Sequence, residues 1–145
     1  MKISTKGRYS LRVMIDLAEH QSEGYISLKD IAARQEVSKK YLEQIIPLLT
    51  SAGMLKTIRG AQGGYKLAKA PKDYTVGQIL RVTEGPLTPV DCAVQDPIDC
   101  PRSTFCPTLP IWKELTTLIN DYLDGITLQD ILDRQQEFYS NNYII

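Results

Sequence analysis

The chain of 145 residues holds one histidine, three cysteines and no run of 18 apolar residues. Each shortage excludes something. Without a long apolar run, no membrane-spanning helix is expected. The opening MKISTKGRYS lacks the apolar stretch of a secretory signal, so the expectation is a cytoplasmic protein whose thiols stay reduced. Three cysteines cannot all pair off within one chain, and in a reducing compartment an odd count points to metal or redox chemistry. The lone histidine, His20, lies far from the cysteines in sequence, so those thiols have no proton partner for catalysis and no enzymatic activity is expected. His20 is read instead as a partner for the C-terminal dipole of the first helix. There is no internal repeat and no low-complexity tract.

The formal net charge is zero, yet it is unevenly laid out. Residues 1–72 contain 13 Lys and Arg against 6 Asp and Glu, a surplus of +7, whereas residues 73–145 contain 4 against 11, a surplus of −7. A basic half suits a polyanion and an acidic half avoids one; two merely solvated faces are the plain alternative.

In the basic half, Tyr9, Val13, Met14, Leu17 and Ala18 recur at helical spacing between about Ser4 and Gln21. Ser27 opens a second, short helix with Leu28, Ile31 and Ala32 inward, and Asp30 stands at the capping-box position. Ser38 caps a third helix, Lys39 to Ala52, with Leu42, Ile45, Ile46 and Leu49 inward and Pro47 expected to kink it or make its last turn irregular. Two strands follow, Leu55–Arg59 and Tyr65–Ala68, joined by Gly60-Ala61-Gln62-Gly63-Gly64. Three glycines in five positions mark a turn needing positive φ and bare backbone. Helix, helix, turn, helix and glycine-tipped hairpin is the order of a winged helix-turn-helix. The expected fold is therefore mainly α with a small β-wing, followed by a long dimerisation helix.

That order places candidate DNA contacts. The N-terminal end of a recognition helix meets base edges in the major groove. Here it offers Ser38, Lys39, Lys40, Tyr41, Glu43 and Gln44. The lysines suit phosphates or guanine, the Ser38 and Tyr41 hydroxyls suit phosphates, Gln44 suits adenine and Glu43 suits cytosine N4. On the wing, Arg59 and Gln62 flank or sit among Gly60, Gly63 and Gly64, a pattern suited to close phosphate approach and minor-groove entry. Lys2, Lys6 and Arg8 add backbone contacts. Any solvated helix carries such residues, and a small α+β domain without a ligand, or a protein-interaction module, is the rival.

In the acidic half, Thr75–Glu84 reads as a helix with Val76, Ile79, Leu80 and Val82 inward. Residues 85–110 hold six of the eight prolines and all three cysteines, Cys92, Cys100 and Cys106, spaced C-x7-C-x5-C. Proline at that density excludes regular helix or strand. Thiolates bind soft metals and iron–sulfur clusters. The absence of C-x2-C knuckles argues against a ribbon-type zinc site, while zinc, redox thiols and unused thiols stay open. Asp91, Asp96 and Asp99 are read as solvating the loop. Ile111 to Leu123 then forms a helix with Ile111, Leu115, Leu118, Ile119, Tyr122 and Leu123 on one face. Thr127 caps a last short helix through Leu132 and beyond, and FYSNNYII is expected to be loose or to pack on a partner.

The stretches ISTKGRYSLRVMIDLA, SLKDIAARQEVSKKYLEQI and AGMLKTIRGAQGGYKLAK, then TVGQILRVTEGP, the cysteine loop and ITLQDIL, together resemble the Rrf-two family of bacterial winged-helix regulators along essentially the whole chain. The likeness is greatest to its iron–sulfur cluster assembly regulators. The resemblance implies a homodimeric repressor or activator that binds a two-fold symmetric double-stranded DNA operator. It implies a winged DNA-binding region over 1–72, and a cluster loop with dimerisation helices over 73–145. It also implies that Cys92, Cys100 and Cys106 ligate an iron–sulfur cluster, 2Fe–2S or alternatively 4Fe–4S. One branch places a histidine three residues beyond the last cysteine, where this chain has Leu109; others use a carboxylate from the partner's first helix, where this chain has Lys6-Gly7-Arg8. The fourth ligand is unassigned. Within the family, a nitric-oxide sensor and a cluster-free cysteine- or redox-responsive repressor are the alternatives. A thiol redox or cluster-carrier protein is the alternative from another class.

Overall fold

The computed structural model describes residues 1–142. Six α-helices and one two-stranded antiparallel sheet follow in the order α1 (Thr5–Glu19), α2 (Leu28–Gln35), α3 (Lys39–Ser51), β1 (Leu55–Ile58), β2 (Gly64–Leu67), α4 (Val76–Glu84), α5 (Leu109–Asp124) and α6 (Leu128–Asn142). The mainly helical architecture with a small wing is as the sequence predicts.

Five of the six helices start the same way. Ser4, Ser27, Ser38, Thr75 and Thr127 each accept, through the side-chain hydroxyl, the backbone N–H three residues on. Each satisfies one of the donors that a helix start leaves without a partner. Thr75 and Gln78 complete a reciprocal capping box, and Asp130 does the same for the Thr127 N–H. By contrast, the Ser27–Asp30 pair has only the serine half. The exception is α5, whose first turn is set by Pro110 and has no side-chain cap.

The core gathers Val13, Met14 and Leu17 of α1, Ile31 of α2 and Leu42, Ile45 and Leu49 of α3, all at most 1 % exposed. Complete burial of such a side chain stabilises by about 1.5–3 kcal/mol. Leu55 and Leu67, paired across the wing ladder, close the core from below. Tyr74, Ile79 and Leu128 belong to the same core, so apolar packing runs without a break across residue 72. Residues 74–76 and 126–128 also exchange backbone hydrogen bonds, Val76 N–H to Ile126 O and Leu128 N–H to Tyr74 O. A second cluster joins Val76, Leu80 and Leu87 with Ile3, Leu11, Ile119 and Leu123.

Helix α3 runs through Pro47 to Ser51 with the expected inward set buried. Several other expectations need correction. Helix α5 begins at Leu109 rather than Ile111, because proline in the first turn has no N–H to waste. Its apolar residues do not act as one face: Ile119 and Leu123 pack inward, while Ile111, Leu115, Leu118 and Tyr122 are exposed. Helix α6 is not short. It runs to Asn142, so Phe138–Asn142 are helical rather than loose; residues 143–145 of the expected tail lie outside the described residues.

Two ion pairs join elements distant in sequence. Asp16, 1 % exposed on α1, receives both guanidinium arms of Arg34 from α2 at 2.9 and 2.7 Å and the Gln35 amide at 2.9 Å. The paired carboxylate raises the Arg34 pKa above its ordinary value. On the other side, Arg81 of α4 grips Asp124 of α5 with two bonds of 2.8 and 2.7 Å and reaches the Asn120 amide oxygen at 2.6 Å. Hydrogen bonding to Arg81 holds the Asp124 carboxyl below the usual carboxylate range. A depressed folded-state pKa stabilises the fold above the ordinary value and ceases to do so as pH falls through the folded value. Arg81→Ala should therefore lower stability by about 0.5–1 kcal/mol at neutral pH, a magnitude suited to a partly exposed pair. The gap between wild type and variant should close as pH falls below the ordinary carboxylate range and through the lowered Asp124 pKa. Urea unfolding across a series of falling pH measures it.

Candidate nucleic-acid interface and cysteine loop

The turn between α2 and α3 is built for a tight reversal. Glu36 takes a left-handed conformation at φ 53° and Val37 N–H returns to Ala32 O. Ser38 then caps α3. With Leu42, Ile45, Ile46 and Leu49 committed to the core, Lys39, Lys40, Glu43 and Gln44 are left exposed on the opposite face. Tyr41 is half-buried, with its ring edge-on to Tyr9 at 5.6 Å. Arg12 lies over the Tyr9 ring at 4.6 Å and donates to the Gln35 side chain and backbone carbonyl at 3.0 and 2.6 Å. Arg12 and Tyr9 thus brace both the turn and the start of α3. Sequence reading missed this role for Arg12; its spacing of three from Tyr9 on α1 was the available signal.

The wing pairs Leu55 with Leu67 through Ile58 with Gly64, and Ile26 adds a bridge to Tyr65. Arg59, Gly60 and Gln62 are exposed at its tip. The three glycines serve different ends, which corrects the uniform reading of the turn. Only Gly60 has positive φ, 116°, with open space around it. A side chain on Gly63 would strike the Ile58 carbonyl, and one on buried Gly64 would strike the Ile26 backbone. Those two are required for close backbone packing. Lys56 and Lys66 stand directly opposite each other across the ladder, an arrangement unfavourable by itself; Lys66 lies over the Tyr25 ring at 4.6 Å. Lys2 and Arg8 are exposed and Lys6 is half-buried at the N-terminal end of α1, where Arg8 bonds Thr5 at 3.2 Å.

The cysteine loop is anchored at its stem and open at its tip. Leu87 is 2 % exposed, its carbonyl accepts the Asn120 amide at 2.8 Å, and Thr88 bonds Thr116 at 2.9 Å. Cys92 lies in a single 3-10 turn, Asp91–Ala93, that packs against α5. Cys100 is exposed, Cys92 and Cys106 are partly covered, and all three are free thiols. Among the described residues, no three His, Cys, Asp or Glu side chains are gathered at metal-binding range. Asp91, Asp96 and Asp99 are exposed, as expected of loop-solvating carboxylates. Leu109 is buried, and its hydrocarbon side chain offers no donor atom to a metal. His20 bonds the Asp16 carbonyl at 2.8 Å at the end of α1.

Cys106 stands where α5 lacks a cap. Its sulfur lies 3.3 Å from the Thr108 hydroxyl. That hydroxyl, then the backbone N–H groups of Thr108 and Leu109, lowers the thiol pKa below its ordinary value. A helix start stabilises a thiolate in this way.

A family model described as an iron-dependent transcriptional regulator, Rrf2, matches residues 3–134. The chain belongs to the Rrf2 family. It is 43 % identical over 142 residues to the HTH-type transcriptional regulator CymR of Bacillus subtilis, covering 96 % of this chain and 97 % of that one. Among solved structures, T. potens IscR is 45 % identical with a TM-score of 0.76, covering 94 % of this chain and 90 % of its own. CymR, the global cysteine regulator of B. subtilis, is 42 % identical with a TM-score of 0.76, covering 92 % of this chain and 98 % of its own. This Rrf2 protein is thus a transcriptional regulator, and no helix among its described residues is long and apolar enough to cross a membrane.

The donor set of this Rrf2 chain fits an iron–sulfur centre in chemistry, being three soft thiols on one loop with one already inclined to ionise. It falls one ligand short in number, and the thiols are not preassembled. The lowered pKa also gives a direct prediction. At neutral pH iodoacetamide should label Cys106 faster than Cys100, despite the greater exposure of Cys100, and Thr108→Ala should slow the labelling of Cys106 several-fold. Peptide mass mapping over a time course reads both rates.

Proposed function

We propose that this Rrf2-family regulator is a cytoplasmic homodimer that represses transcription by binding a two-fold duplex operator, under the control of an iron–sulfur cluster on its cysteine loop. The observation that carries the DNA reading is the pairing of two exposed polar surfaces on one basic half. These are the capped start of α3 with Lys39, Lys40, Glu43 and Gln44, and the wing tip with Arg59, Gly60 and Gln62. Ser38 and Tyr41 shape the start of α3, Gly63 and Gly64 shape the wing, and Lys2, Lys6 and Arg8 add phosphate contacts. The exposed stripe Ile111, Leu115, Leu118 and Tyr122 suits a second copy of α5. Two heads then read half-sites about one helical turn apart.

Cys92, Cys100 and Cys106 would hold the cluster, 2Fe–2S or 4Fe–4S, with the fourth ligand unassigned. When bound, it supplies redox- and ligand-sensitive lability at the loop. The residues around it convert loop position into head position: Asn120 and Thr116 bind the loop stem, and Arg81 binds Asn120 and Asp124 to α4. A second reading, a cluster-free regulator that responds through its thiols, is favoured by the ungathered cysteines and by the likeness to CymR.

Two experiments test these readings. Operator affinity should fall steeply with salt, and Lys39→Gln with Lys40→Gln should reduce the slope of log affinity against log salt by roughly 0.9 per lost phosphate contact. An affinity unchanged by salt overturns the DNA assignment. Protein purified without oxygen should be brown, and Cys92→Ala, Cys100→Ala and Cys106→Ala together should abolish the colour. Colourless, metal-free protein whose operator affinity changes on thiol oxidation supports the cluster-free reading, and colourless protein with stoichiometric zinc contradicts both.

A further inference from the structure

The junction between the first helix and the cysteine loop holds a carboxylate that the readings above leave unused. Glu84 is the last residue of α4, and Gly85, at φ 70°, begins the loop. The Glu84 side chain crosses to the other end of the sequence. Its Oε1 accepts the backbone N–H of Ser4 at 3.1 Å and the Ser4 hydroxyl. Ser4 is the N-cap of α1 and accepts Gly7 N–H at 3.0 Å. A side chain on Gly7 would collide with the same Glu84 oxygen. Glycine at position 7 is therefore the space the carboxylate occupies.

The surroundings make this contact a joint. A negative group at a helix start is favoured by the helix dipole and by its free N–H groups. Met1, Lys2 and Ile3 line a small cleft with Glu84, Pro86, Leu87 and Thr88. Ile3 packs against the cluster of Val76, Leu80 and Leu87. The N-terminal arm is thus held on the loop stem, and the arm and first turn carry Lys2, Lys6 and Arg8.

We propose that Glu84 is a positioning residue for DNA binding: by capping α1 at Ser4 it holds the Lys2, Lys6 and Arg8 cations in register with operator phosphates. Standing one residue before the cysteine loop, it makes that cationic arm the part of the DNA interface nearest to the loop's movements. The proposal rests on the DNA reading. Without Glu84 the arm still carries its charge but loses its fixed direction, so fewer phosphate contacts form at once.

A mutant cycle on the full-length protein tests it, with operator affinity measured across a salt series. Glu84→Ala should lower the salt slope by about one to two, at roughly 0.9 per phosphate contact. In a background of Lys2→Gln, Lys6→Gln and Arg8→Gln it should lower the slope no further, because the two changes remove the same contacts. Glu84→Gln, which keeps the shape and an accepting oxygen, serves if the alanine variant does not fold. It should give an intermediate slope and faster amide hydrogen exchange at Ser4 and Gly7. A lowered melting temperature with an unchanged salt slope reduces Glu84 to a structural role and overturns the proposal. So does a slope loss that adds fully to that of the triple variant. A wild-type protein that binds no duplex overturns the DNA reading itself, which is a separate result.

Discussion

Helix α1 is the constraint on which the remaining structure depends. Helices α2, α3, α4 and α6 and strand β2 all pack against it, and it is buried at Gly7, Ser10, Val13, Met14, Asp16, Leu17 and Ala18. A helix enclosed to that degree cannot present a charge inward without a partner. Asp16 meets the condition by taking both arms of Arg34 and the Gln35 amide. The same contacts orient α2, and through the turn at Glu36 they orient α3. The placement of α3 is therefore tied to a carboxylate on α1 as well as to the apolar core the two helices share.

The second half attaches to this spine by polar clamps as well as by apolar packing. Arg81 joins α4 to α5, Asn120 joins α5 to the loop stem, and Glu84 joins α4 to α1. Each clamp touches either the end of α4 or the beginning of the cysteine loop. The loop stem is thus held by directed bonds in addition to the apolar packing of Leu87. The loop is thereby exposed at its tip around Cys100 and tethered at its stem at Leu87 and Thr88.

Helix α5 has two tasks on two faces. Ile119 and Leu123 hold it to its own head, while Ile111, Leu115, Leu118 and Tyr122 remain open. Its uncapped start is adjacent to Cys106, whose thiol is lowered by the Thr108 hydroxyl and the first amides. Cys106 thus stands at the start of the helix that carries the exposed apolar stripe.

How much of this was legible in the sequence follows from distance along the chain. The serine and threonine caps, the inward sets of α1 to α4, the wing and the candidate contacts at Lys39, Lys40, Glu43, Gln44 and Arg59 depend on residues a few positions apart. For these, periodicity and capping chemistry suffice. The separate reasons for Gly63 and Gly64 were hidden, since each depends on a backbone segment brought close by folding. The same holds for the pairs Asp16–Arg34, Arg81–Asp124 and Ser4–Glu84, whose partners are 18, 43 and 80 residues apart. The division of α5 into an inward and an open face was also invisible, because helical spacing reveals that a face is apolar but not what covers it. By itself the sequence determined the order of the helices, the wing and the three thiols on one loop, all set by local geometry and composition. Only the tertiary structure decided which charges meet, which glycines are spacers and whether the thiols converge, because those depend on where distant segments come to rest.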